Sequence, residues 1–513
     1  MKHLFFYLAL LCLPLAVRGG VRSVGFDAGQ SSGVPLSVWN RYTLYADGVH
    51  NAALDLTAAA AYRVPLELDS TVFSVRDRST YSIAVWVRVP KGEVQNGSGA
   101  AIVTNVDKTA HAGGFTIGAS ANGSWYAGFT DDNGHSLWYE PTVARQPLAD
   151  GRWHLLALTY DGPHGKARFY YDGKNVAIYN LREMGGFNGH GRMRIGGADS
   201  TEWTAFNGQI DELALYDTQL TPESLFRLYT SYYPLARWNE TLPERRKELK
   251  LMGFNIWHGG NETGSEAGPR RVADIVRDAG AEVVGLIETY GSGPKIADEL
   301  GYCLYLHSSN LSILSRYPIV EAVDIFRPFN CSAARIQISK TQTINYINLW
   351  LHYLPDTRQQ LRDRVSVDSI VAGEWTTRAA ELQQILHEAD SIGFIAGDVP
   401  TFVSGDFNID SHLDWVESTR DEHEGYVIPW PTSQLMEQAG FTDSYRKLYP
   451  DPKRYPCKTW SPAYTPEENG FYYRIDFIFY KGPGILPRES RMIDTHRVRF
   501  PSDHAAMLTI FNL

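Results

Sequence analysis

The sequence predicts two domains of different fold class, an all-β sandwich followed by an α/β sandwich. At 513 residues the chain is too long for a single hydrophobic core. From about Val38 to Tyr233, short alternating apolar and polar runs are separated by Gly, Asn and Asp, a pattern typical of antiparallel sheets. From about Leu249 onward, strand-like and helix-like runs alternate, which indicates an α/β domain. The predicted segments are an N-terminal processing segment at 1–19, the β-sandwich at 20–234, a linker at 235–248 and the α/β domain at 249–513.

The composition is that of an ordinary globular protein, with 43% hydrophobic and 21% charged residues. The formal net charge of −10 provides no broad attraction to nucleic acid or to anionic membranes. It therefore argues against a tight, non-enzymatic DNA-binding protein. A phosphate-handling site stays compatible with this charge, because a bound divalent cation reverses the local field.

Segment 1–19 has the features of a secretory signal peptide. Lys2 and His3 precede an apolar run from Leu4 to Val17, and the small residues that follow suit cleavage after Gly19. The run is too short to span a bilayer comfortably, and no later run is long and apolar enough for a transmembrane helix. We expect the mature protein to be secreted, into the extracellular space or into the periplasm of a Gram-negative bacterium.

Cysteine usage adds one expectation. Loss of Cys12 with the signal peptide leaves Cys303, Cys331 and Cys457, an odd count that allows at most one internal disulfide. Cys303 and Cys331 are the closer pair in sequence and therefore the favoured bridge. Three thiols without close spacing argue against a zinc site.

Four stretches of the N-terminal half carry a family resemblance: Ser82–Val87, Gly151–Asp161, Phe169–Lys174 and Gly208–Tyr216. In this order they resemble the laminin-G/concanavalin A-like lectin family, which implies a concanavalin A-like jelly roll for residues 20–234. The resemblance says less about function, because members bind sugars, proteins or calcium and many accompany an enzyme. A glycan or a surface protein is the implied partner of this domain.

Two features of the N-terminal half have two readings each. The carboxylates of Asp211 and Glu212 suit a Ca²⁺ ion, or they bond a neighbouring loop at the strand end. Four tryptophans suit either a sugar-binding platform or a buried core: Trp125, Trp138, Trp153 and Trp203. Residues 235–248, which are rich in charge and contain a proline, then read as a linker.

The predicted strands of the C-terminal half end in polar residues, and Phe402–Asn408 is the clearest case. Period-2 spacing places Asp406 and Asn408 on the same side of that strand. At the end of a buried strand such groups need partners, for example a metal, a phosphate or a water molecule. A plain turn is the other reading, since Gly, Asp and Asn all favour turns. Other polar residues at predicted strand ends are Asn255, Glu288 and His352. Their recurrence predicts a shared polar mouth, the usual place for an active site.

Five stretches carry a second resemblance: Phe254–Trp257, Gly285–Glu288, Gly405–Asn408, Arg474–Ile478 and Ser502–His504. In this order they resemble the endonuclease/exonuclease/phosphatase superfamily, which includes DNase I-like nucleases, apurinic endonucleases, neutral sphingomyelinases and inositol-polyphosphate phosphatases. The resemblance covers about residues 250–513 and implies a four-layer α/β (α-β-β-α) DNase I-like sandwich that hydrolyses phosphate esters with a divalent metal.

The resemblance implies a metal site. Glu288 supplies an anionic oxygen for Mg²⁺ or Mn²⁺, with Asn255 and Asp503 close by. Oxygen ligands of this kind suit such hard cations.

The resemblance also implies catalytic roles at four positions. Asp406 orients or deprotonates the attacking water, and Asn408 donates a hydrogen bond to a phosphate oxygen. His504 is held by Asp476 and bonds the phosphoryl oxygens as they gain charge.

One position departs from the family pattern. The family carries a histidine within a Thr-His-Leu word on the long central strand, whereas Trp350 occupies that position here. His352 lies two residues later, on the same face if the strand continues. In one reading His352 reaches the phosphate from there. In the other it supports the residues that contact the phosphate, and the mechanism then uses one histidine.

The sequence therefore predicts a secreted, divalent-metal-dependent phosphodiesterase with a lectin-like accessory domain, most simply a nuclease. A sphingomyelinase-like enzyme or a small-molecule phosphoesterase is the alternative, since no run of basic residues marks a nucleic-acid groove. A non-catalytic glycan- or surface-binding protein with an inactive hydrolase scaffold is the second alternative.

Overall fold

The computed structural model of the chain describes residues 21–26, 43–45, 47–59, 65–68, 79–107, 110–187, 192–197, 205–237, 242–462 and 473–513. The predicted signal peptide, residues 1–19, lies outside the described residues, as does Trp203. The chain divides into two compact units, residues 1–240 and 241–513. This division falls within the segment that reads as a linker.

The described part of the N-terminal unit consists of short strands and one helix. The strands are β1 (Val21–Val24), β2 (Thr43–Tyr45), β3 (Ala53–Asp55), β4 (Leu66–Leu68), β5 (Thr80–Arg88), β6 (Gly99–Thr104), β7 (Gly114–Ser120), β8 (Trp125–Thr130), β9 (Ser136–Tyr139), β10 (Trp153–Asp161), β11 (Lys166–Tyr171), β12 (Lys174–Asn180), β13 (Met193–Ile195) and β14 (Gln209–Tyr216). Thr221 caps the N-terminus of helix α1 (Pro222–Tyr232), because its side chain accepts a hydrogen bond from the Ser224 amide.

These strands form two antiparallel sheets, which confirms the predicted β-sandwich. One sheet has the order β2-β3-β14-β5-β10-β11-β12, with β1 also paired to β14, and the other has the order β4-β13-β6-β7-β8-β9. Both faces of β5 are buried, because Ala84 and Trp86 pack against Leu225 of α1 while Ile83 and Val85 are also buried.

The tryptophans of this unit mostly serve the core. Trp125 is fully buried and Trp153 is 3% exposed, so neither ring is available to stack on a sugar. The Trp125 indole nitrogen donates to Gln146 Oε1 at 2.7 Å, which satisfies its polar group inside the core. Trp138 is half-buried. A sugar platform built from all four rings is therefore wrong.

The C-terminal unit alternates strands with helices. Its strands are β15 (Glu248–Asn255), β16 (Val283–Ile287), β17 (Cys303–Leu306), β18 (Leu311–Ser315), β19 (Ile319–Val323), β20 (Cys331–Gln337), β21 (Thr343–Trp350), β22 (Thr401–Asp406), β23 (Thr442–Asp443), β24 (Asp476–Lys481), β25 (Leu486–Ile493) and β26 (Ala506–Asn512). Its α-helices are α2 (Ala267–Ala279), α3 (Gly293–Leu300), α4 (Thr357–Arg362), α5 (Val367–Trp375), α6 (Arg378–Ser391), α7 (Pro431–Gln438) and α8 (Ser444–Leu448).

Within this unit, two sheets face each other between helices, which confirms the predicted four-layer sandwich. One sheet runs β17-β18-β16-β15-β26-β25 and the other runs β19-β20-β21-β22-β24-β23. Apolar residues of α5, α6 and α7 pack on the second sheet in one core cluster, with Leu382 and Met436 beside Val403. Helix α2 buries Val272 and Val276.

Polar side chains cross between the two sheets of this unit. The amide of Asn348 on β21 donates to the Leu286 carbonyl on β16 at 2.9 Å, and Tyr346 Oη donates to the Met252 carbonyl at 3.2 Å. Gly285 faces the Asn348 amide, and any Cβ there would collide with it. The close approach of the two sheets brings the ends of β15, β16, β22 and β24 into one region.

Some sequence predictions are wrong in detail. The favoured Cys303–Cys331 bridge is absent, because Cys303 lies on β17 of one sheet while Cys331 is buried in the core of the other. The sequence from Trp375 to Ala389 predicts one helix, whereas Trp375 is the last residue of α5 and α6 starts at Arg378. In the described residues, no helix combines the length and the apolarity needed to cross a membrane.

Candidate active site

Two carboxylates and one imidazole converge at one end of the facing sheets of the C-terminal unit. Asp406 is the last residue of β22, and it lies opposite Asp476, the first residue of β24. His504 lies two residues before β26. Potential ligand atoms of these three buried residues all lie within 4.8 Å of one another. In the described chain they form a group that can hold a metal ion.

Asn255 ties this cluster to Glu288. It ends β15 with no exposed surface, and its Nδ2 donates to Glu288 Oε1 and to Asp406 Oδ2, at 3.1 Å each. The same nitrogen lies 3.5 Å from His504 Nε2. Four of the predicted site residues are therefore joined by direct contacts through one amide.

Glu288 follows β16 in a left-handed conformation, with φ of 57°. Its backbone N–H donates to Asn310 Oδ1 at 2.9 Å, and its Oε2 accepts the His258 amide at 3.3 Å. A left-handed glutamate is uncommon and is tolerated where surrounding contacts hold it. The turn sends the carboxylate towards Asn255 rather than along the strand.

Asp503 borders the same region. Its Oδ2 accepts the indole N–H of Trp460 at 3.2 Å, and its Oδ1 is buried without a hydrogen bond. The backbone at His504 is fixed next to it, because the His504 N–H donates to Ser502 Oγ at 3.0 Å and Ser502 Oγ donates to the Asn255 carbonyl at 2.7 Å.

The electrostatics of the cluster favour a charged imidazole and a weak acid. Burial alone would lower the pKa of His504, but the negative charges of Asp476 and Asp406 outweigh it and raise the pKa to about 10. Burial raises the pKa of Asp406 to about 7, with Asp476 adding to the rise and His504 opposing it. A carboxylate with a pKa near neutrality suits a general base.

Orphaned oxygens indicate where a cation fits. Asp476 Oδ1 and Asp503 Oδ1 are buried without a hydrogen bond, and burial also raises the pKa of Asp503, with the charge of Glu288 adding to it. A divalent cation satisfies such oxygens and favours their ionised form. Metal binding at His504 requires the neutral imidazole, so the carboxylates of this region are the better ligands at neutral pH.

Asn408 is placed differently from the sequence prediction. Strand β22 ends at Asp406, and Asn408 is left-handed with φ of 53°, so strand alternation no longer applies. Its backbone N–H donates to Asp406 Oδ1 at 2.8 Å and its side chain donates to the Leu351 carbonyl at 2.8 Å. In this structure Asn408 orients the Asp406 carboxylate.

His352 is likewise off the predicted strand. Strand β21 ends at Trp350, and the ring of His352 stacks on Tyr353 at 5.0 Å, with Nδ1 accepting the Leu354 amide at 3.0 Å. Its backbone contacts join it to Glu381 and Arg378. These contacts favour the reading in which His352 supports the site without contacting the phosphate itself.

Trp350 stands opposite Asp406 in the pairing of β21 with β22. Its ring contacts Phe329 edge-on at 5.4 Å, and its indole nitrogen is buried without a hydrogen bond. The family position for a second histidine thus carries a bulky aromatic ring beside the acidic cluster.

Several residues that hold the site were not singled out from the sequence. Thr459 Oγ1 accepts the amides of Ile475 and Asp476, at 3.0 and 3.1 Å. Trp460 and Asn310 fix Asp503 and Glu288 as described above. Threonine, tryptophan and asparagine carry no signal of their own at these positions, because only the folded chain brings them to the acids.

Asp211 in the N-terminal unit makes the contacts expected of a strand-end carboxylate that bonds a neighbouring loop. It is fully buried, and its carboxylate accepts the backbone amides of His50 at 3.1 Å and Glu212 at 2.8 Å. Burial raises its pKa to about 7. Its side chain therefore joins β14 to the loop that contains His50.

Comparisons with known proteins agree with this architecture. Residues 252–504 match the Endonuclease/Exonuclease/phosphatase family, and residues 65–225 match the Concanavalin A-like lectin/glucanases superfamily. An uncharacterised Caenorhabditis elegans protein, F14F9.5, is 30% identical over 285 residues, which is 50% of this chain and 90% of that protein.

Two solved structures are similar to about half of the chain. Truncated Caenorhabditis elegans TDP2 is 19% identical, with a TM-score of 0.36, covering 52% of this chain and 98% of that one. An AP endonuclease from Archaeoglobus fulgidus is 15% identical, with a TM-score of 0.38, covering 52% and 100%. Through its C-terminal unit, the chain belongs to the endonuclease/exonuclease/phosphatase family.

Proposed function

We propose that this protein is a secreted, divalent-metal-dependent phosphodiesterase that cleaves phosphate esters by attack of water, with nucleic acid as its substrate class. The observation that carries the proposal is the convergence of Asp406, Asp476, His504 and Asn255 on one buried centre from four separate strands or loops. Secretion rests on the sequence of residues 1–19 alone.

The acid–base chemistry follows from the contacts of two residues. Asp406, with its raised pKa, accepts the proton of the attacking water. Asp476 Oδ2 holds His504 Nδ1 at 2.9 Å, which leaves Nε2 as the donor for a phosphoryl oxygen that gains negative charge. The imidazolium form, favoured by the raised pKa of His504, strengthens that hydrogen bond.

Glu288 and Asp503, with Asn255 between the strand ends, are the residues that would hold Mg²⁺ or Mn²⁺. The cation would neutralise charge on the phosphate and polarise it for attack. Asn255 and Asn310 position Glu288, and Trp460 positions Asp503, so this part of the site is held before any cation binds.

The N-terminal unit fits an accessory role in this proposal, with a glycan or a surface protein as its partner. Sphingomyelin or a small phosphate ester remains the alternative substrate. A non-catalytic binding protein is the competing function, and Trp350 at the family's histidine position is the observation that favours it.

Hydrolysis of bis(p-nitrophenyl) phosphate by the full chain tests the proposal. We expect turnover with Mg²⁺ or Mn²⁺, its loss in EDTA, and a decrease of about 10²–10⁴-fold in kcat for Asp406→Ala. Asp368→Asn, an exposed acid on α5, is the matched control and should retain full activity. A natively folded protein without turnover in Mg²⁺, Mn²⁺ or Ca²⁺ would overturn the enzyme and favour the binding protein.

A further inference from the structure

A cavity of about 750 Å³ lies beside helix α8 in the C-terminal unit. Its wall comprises residues of α8, the following segment up to Arg454, and parts of the chain around Leu413 and Glu437. None of the residues assigned to catalysis or metal binding above lines it. It is a separate feature of the same unit.

The charges of this cavity are partly compensated. Arg446 Nε donates to Asp414 Oδ1 at 2.5 Å, Asp443 accepts from Arg474 Nη1 at 2.7 Å, and Glu437 bonds His412 at 3.1 Å. Each of these lining groups thus already has a partner of complementary character.

Three lining cations have no carboxylate partner among the described residues, although the Arg454 guanidinium lies 5.2 Å from the centre of the Tyr455 ring. Lys447, Lys453 and Arg454 are exposed, and within the described residues none of them forms an ion pair. Asp451, the remaining acid of the wall, uses one carboxylate oxygen to accept the amides of Lys453 and Arg454, at 3.0 and 3.1 Å. The cavity wall therefore carries a small excess of positive charge, four cations against three acids, on a chain whose net charge is −10.

The cavity wall is fixed to the segment that leads into β24, the strand that begins with Asp476. Asp443 of the wall bonds Arg474, which precedes Asp476 by two residues, and Asp414 bonds both Arg474 and Arg446. A second cavity of about 340 Å³ shares Arg446 with the first and is also lined by Arg474 and Lys458. Lys458 adjoins Thr459, whose hydroxyl accepts the Asp476 amide.

We infer that the Lys447–Lys453–Arg454 cavity binds the phosphate backbone of a polynucleotide at a distance from the bond that is cleaved. This inference rests on the proposed phosphodiesterase function and adds a second binding site for the substrate class proposed there. A small phosphate ester bound at Asp406 has no second anion to place in this cavity, whereas a polynucleotide carries one on every residue. A sphingolipid headgroup likewise offers a single phosphate. Cations that form no ion pair within the protein gain most from phosphate, because binding releases condensed counterions from the nucleic acid.

The test compares two triple variants of the full chain that change the net charge equally. Lys447→Gln/Lys453→Gln/Arg454→Gln removes the cavity cations, and Arg277→Gln/Arg316→Gln/Lys340→Gln removes exposed cations outside the cavity. Binding of a fluorescein-labelled single-stranded 12-mer is measured by anisotropy between 50 and 200 mM salt, without added divalent cation.

We expect the cavity variant to bind the 12-mer about tenfold more weakly at 50 mM salt. The slope of log K against log salt should fall in magnitude by about 2, since each lost contact to a single strand removes about 0.7. The control variant should keep the wild-type slope, and both variants should hydrolyse bis(p-nitrophenyl) phosphate at the wild-type rate.

Equal Kd values and slopes for the two variants would overturn the inference. Binding of a heparin-derived oligosaccharide is measured in the same way. A cavity variant that binds the 12-mer normally but binds this oligosaccharide more weakly would also overturn the inference and would assign the cavity to sulfated glycans. A wild-type chain that binds the 12-mer through the cavity but hydrolyses no diester would instead overturn the proposed hydrolase activity and leave the cavity as a polynucleotide-binding site. The two failures are therefore distinguishable.

Discussion

Each unit of the molecule buries a histidine between two aspartates, and the two arrangements differ in what they leave unsatisfied. In the N-terminal unit, His154 Nδ1 lies 3.1 Å from Asp172 Oδ2, and Nε2 lies 3.1 Å from Asp150 Oδ1. In the C-terminal unit, His504 Nδ1 lies 2.9 Å from Asp476 Oδ2, but Nε2 is 3.9 Å from Asp406 Oδ2. Only the first imidazole has close contacts to carboxylates on both nitrogens.

The difference separates a structural clamp from the reactive centre that we propose. The aspartates of His154 hold the start of β10 to the turn between β11 and β12, and they use both ring nitrogens to do so. At His504, Nε2 lies 3.5 Å from Asn255 Nδ2 and 3.9 Å from Asp406 Oδ2, and the Oδ1 of Asp476 is buried without a hydrogen bond. Buried polar groups left without partners are costly, so their retention indicates a ligand.

The largest expected effect is on activity. His504→Gln should lower kcat for bis(p-nitrophenyl) phosphate by about 10²–10⁴-fold. The reason is that a glutamine amide stays neutral and cannot replace the imidazolium that Asp476 stabilises. His154→Gln should leave kcat unchanged. Steady-state kinetics of both purified variants checks this, and equal losses in the two variants would contradict the contrast drawn between the two histidines.

The second effect is on stability and should have the opposite distribution. His154→Gln removes an imidazole that is 3% exposed, together with its contacts to two aspartates. We expect this loss to lower the free energy of unfolding by about 2 kcal/mol. Calorimetry of the full chain should show one transition lowered by about 5 °C. His164→Gln, at a histidine 65% exposed beside Asp161, is the matched control. A loss no larger than that of the control would refute the clamp.

The smallest effect is a pH dependence of stability in the N-terminal unit. Burial alone would lower the pKa of His154, but the hydrogen bonds that its ring donates to Asp172 and Asp150, and the negative charges of these aspartates, raise the pKa above 6.5. The folded state therefore binds the proton more tightly than the unfolded state. The stabilisation is complete below pH 6.5 and is lost as the pH rises through the folded pKa.

Thermal unfolding of the wild type and His154→Gln across pH 5.5–9 measures this dependence. The wild type should lose stability on the alkaline side of pH 6.5, and the difference between the two proteins should shrink in that range. A difference independent of pH would show that the His154 contact does not depend on its charge.

Much of the fold was predictable from residue patterns. Short alternating runs bounded by turn residues predicted the sandwich, and its two antiparallel sheets confirm that reading. Polar residues at strand ends predicted a shared site, and Asn255, Glu288 and Asp406 do lie together, with His504, which the family resemblance implied, beside them. Such patterns are readable because strand alternation and polar burial are local properties of the chain.

Other features depended on where each strand stops. His352 and Asn408 were placed by extending β21 and β22, yet the strands end at Trp350 and Asp406. The positive φ of Asn408 then turns its side chain towards Leu351. Strand ends are set by pairing with neighbouring strands and by contacts beyond them, which a single sequence does not display.

The sequence by itself determined the two fold classes and the strands that carry acids and amides, and its family resemblance supplied the candidate residues for a phosphate site. The tertiary structure decided which of those residues meet, that Asn255 links Glu288 to Asp406, and that three cations without an ion pair among the described residues line one cavity. The physical reason is that side-chain chemistry belongs to each residue, whereas distances between residues far apart in the chain exist only once the sheets have packed.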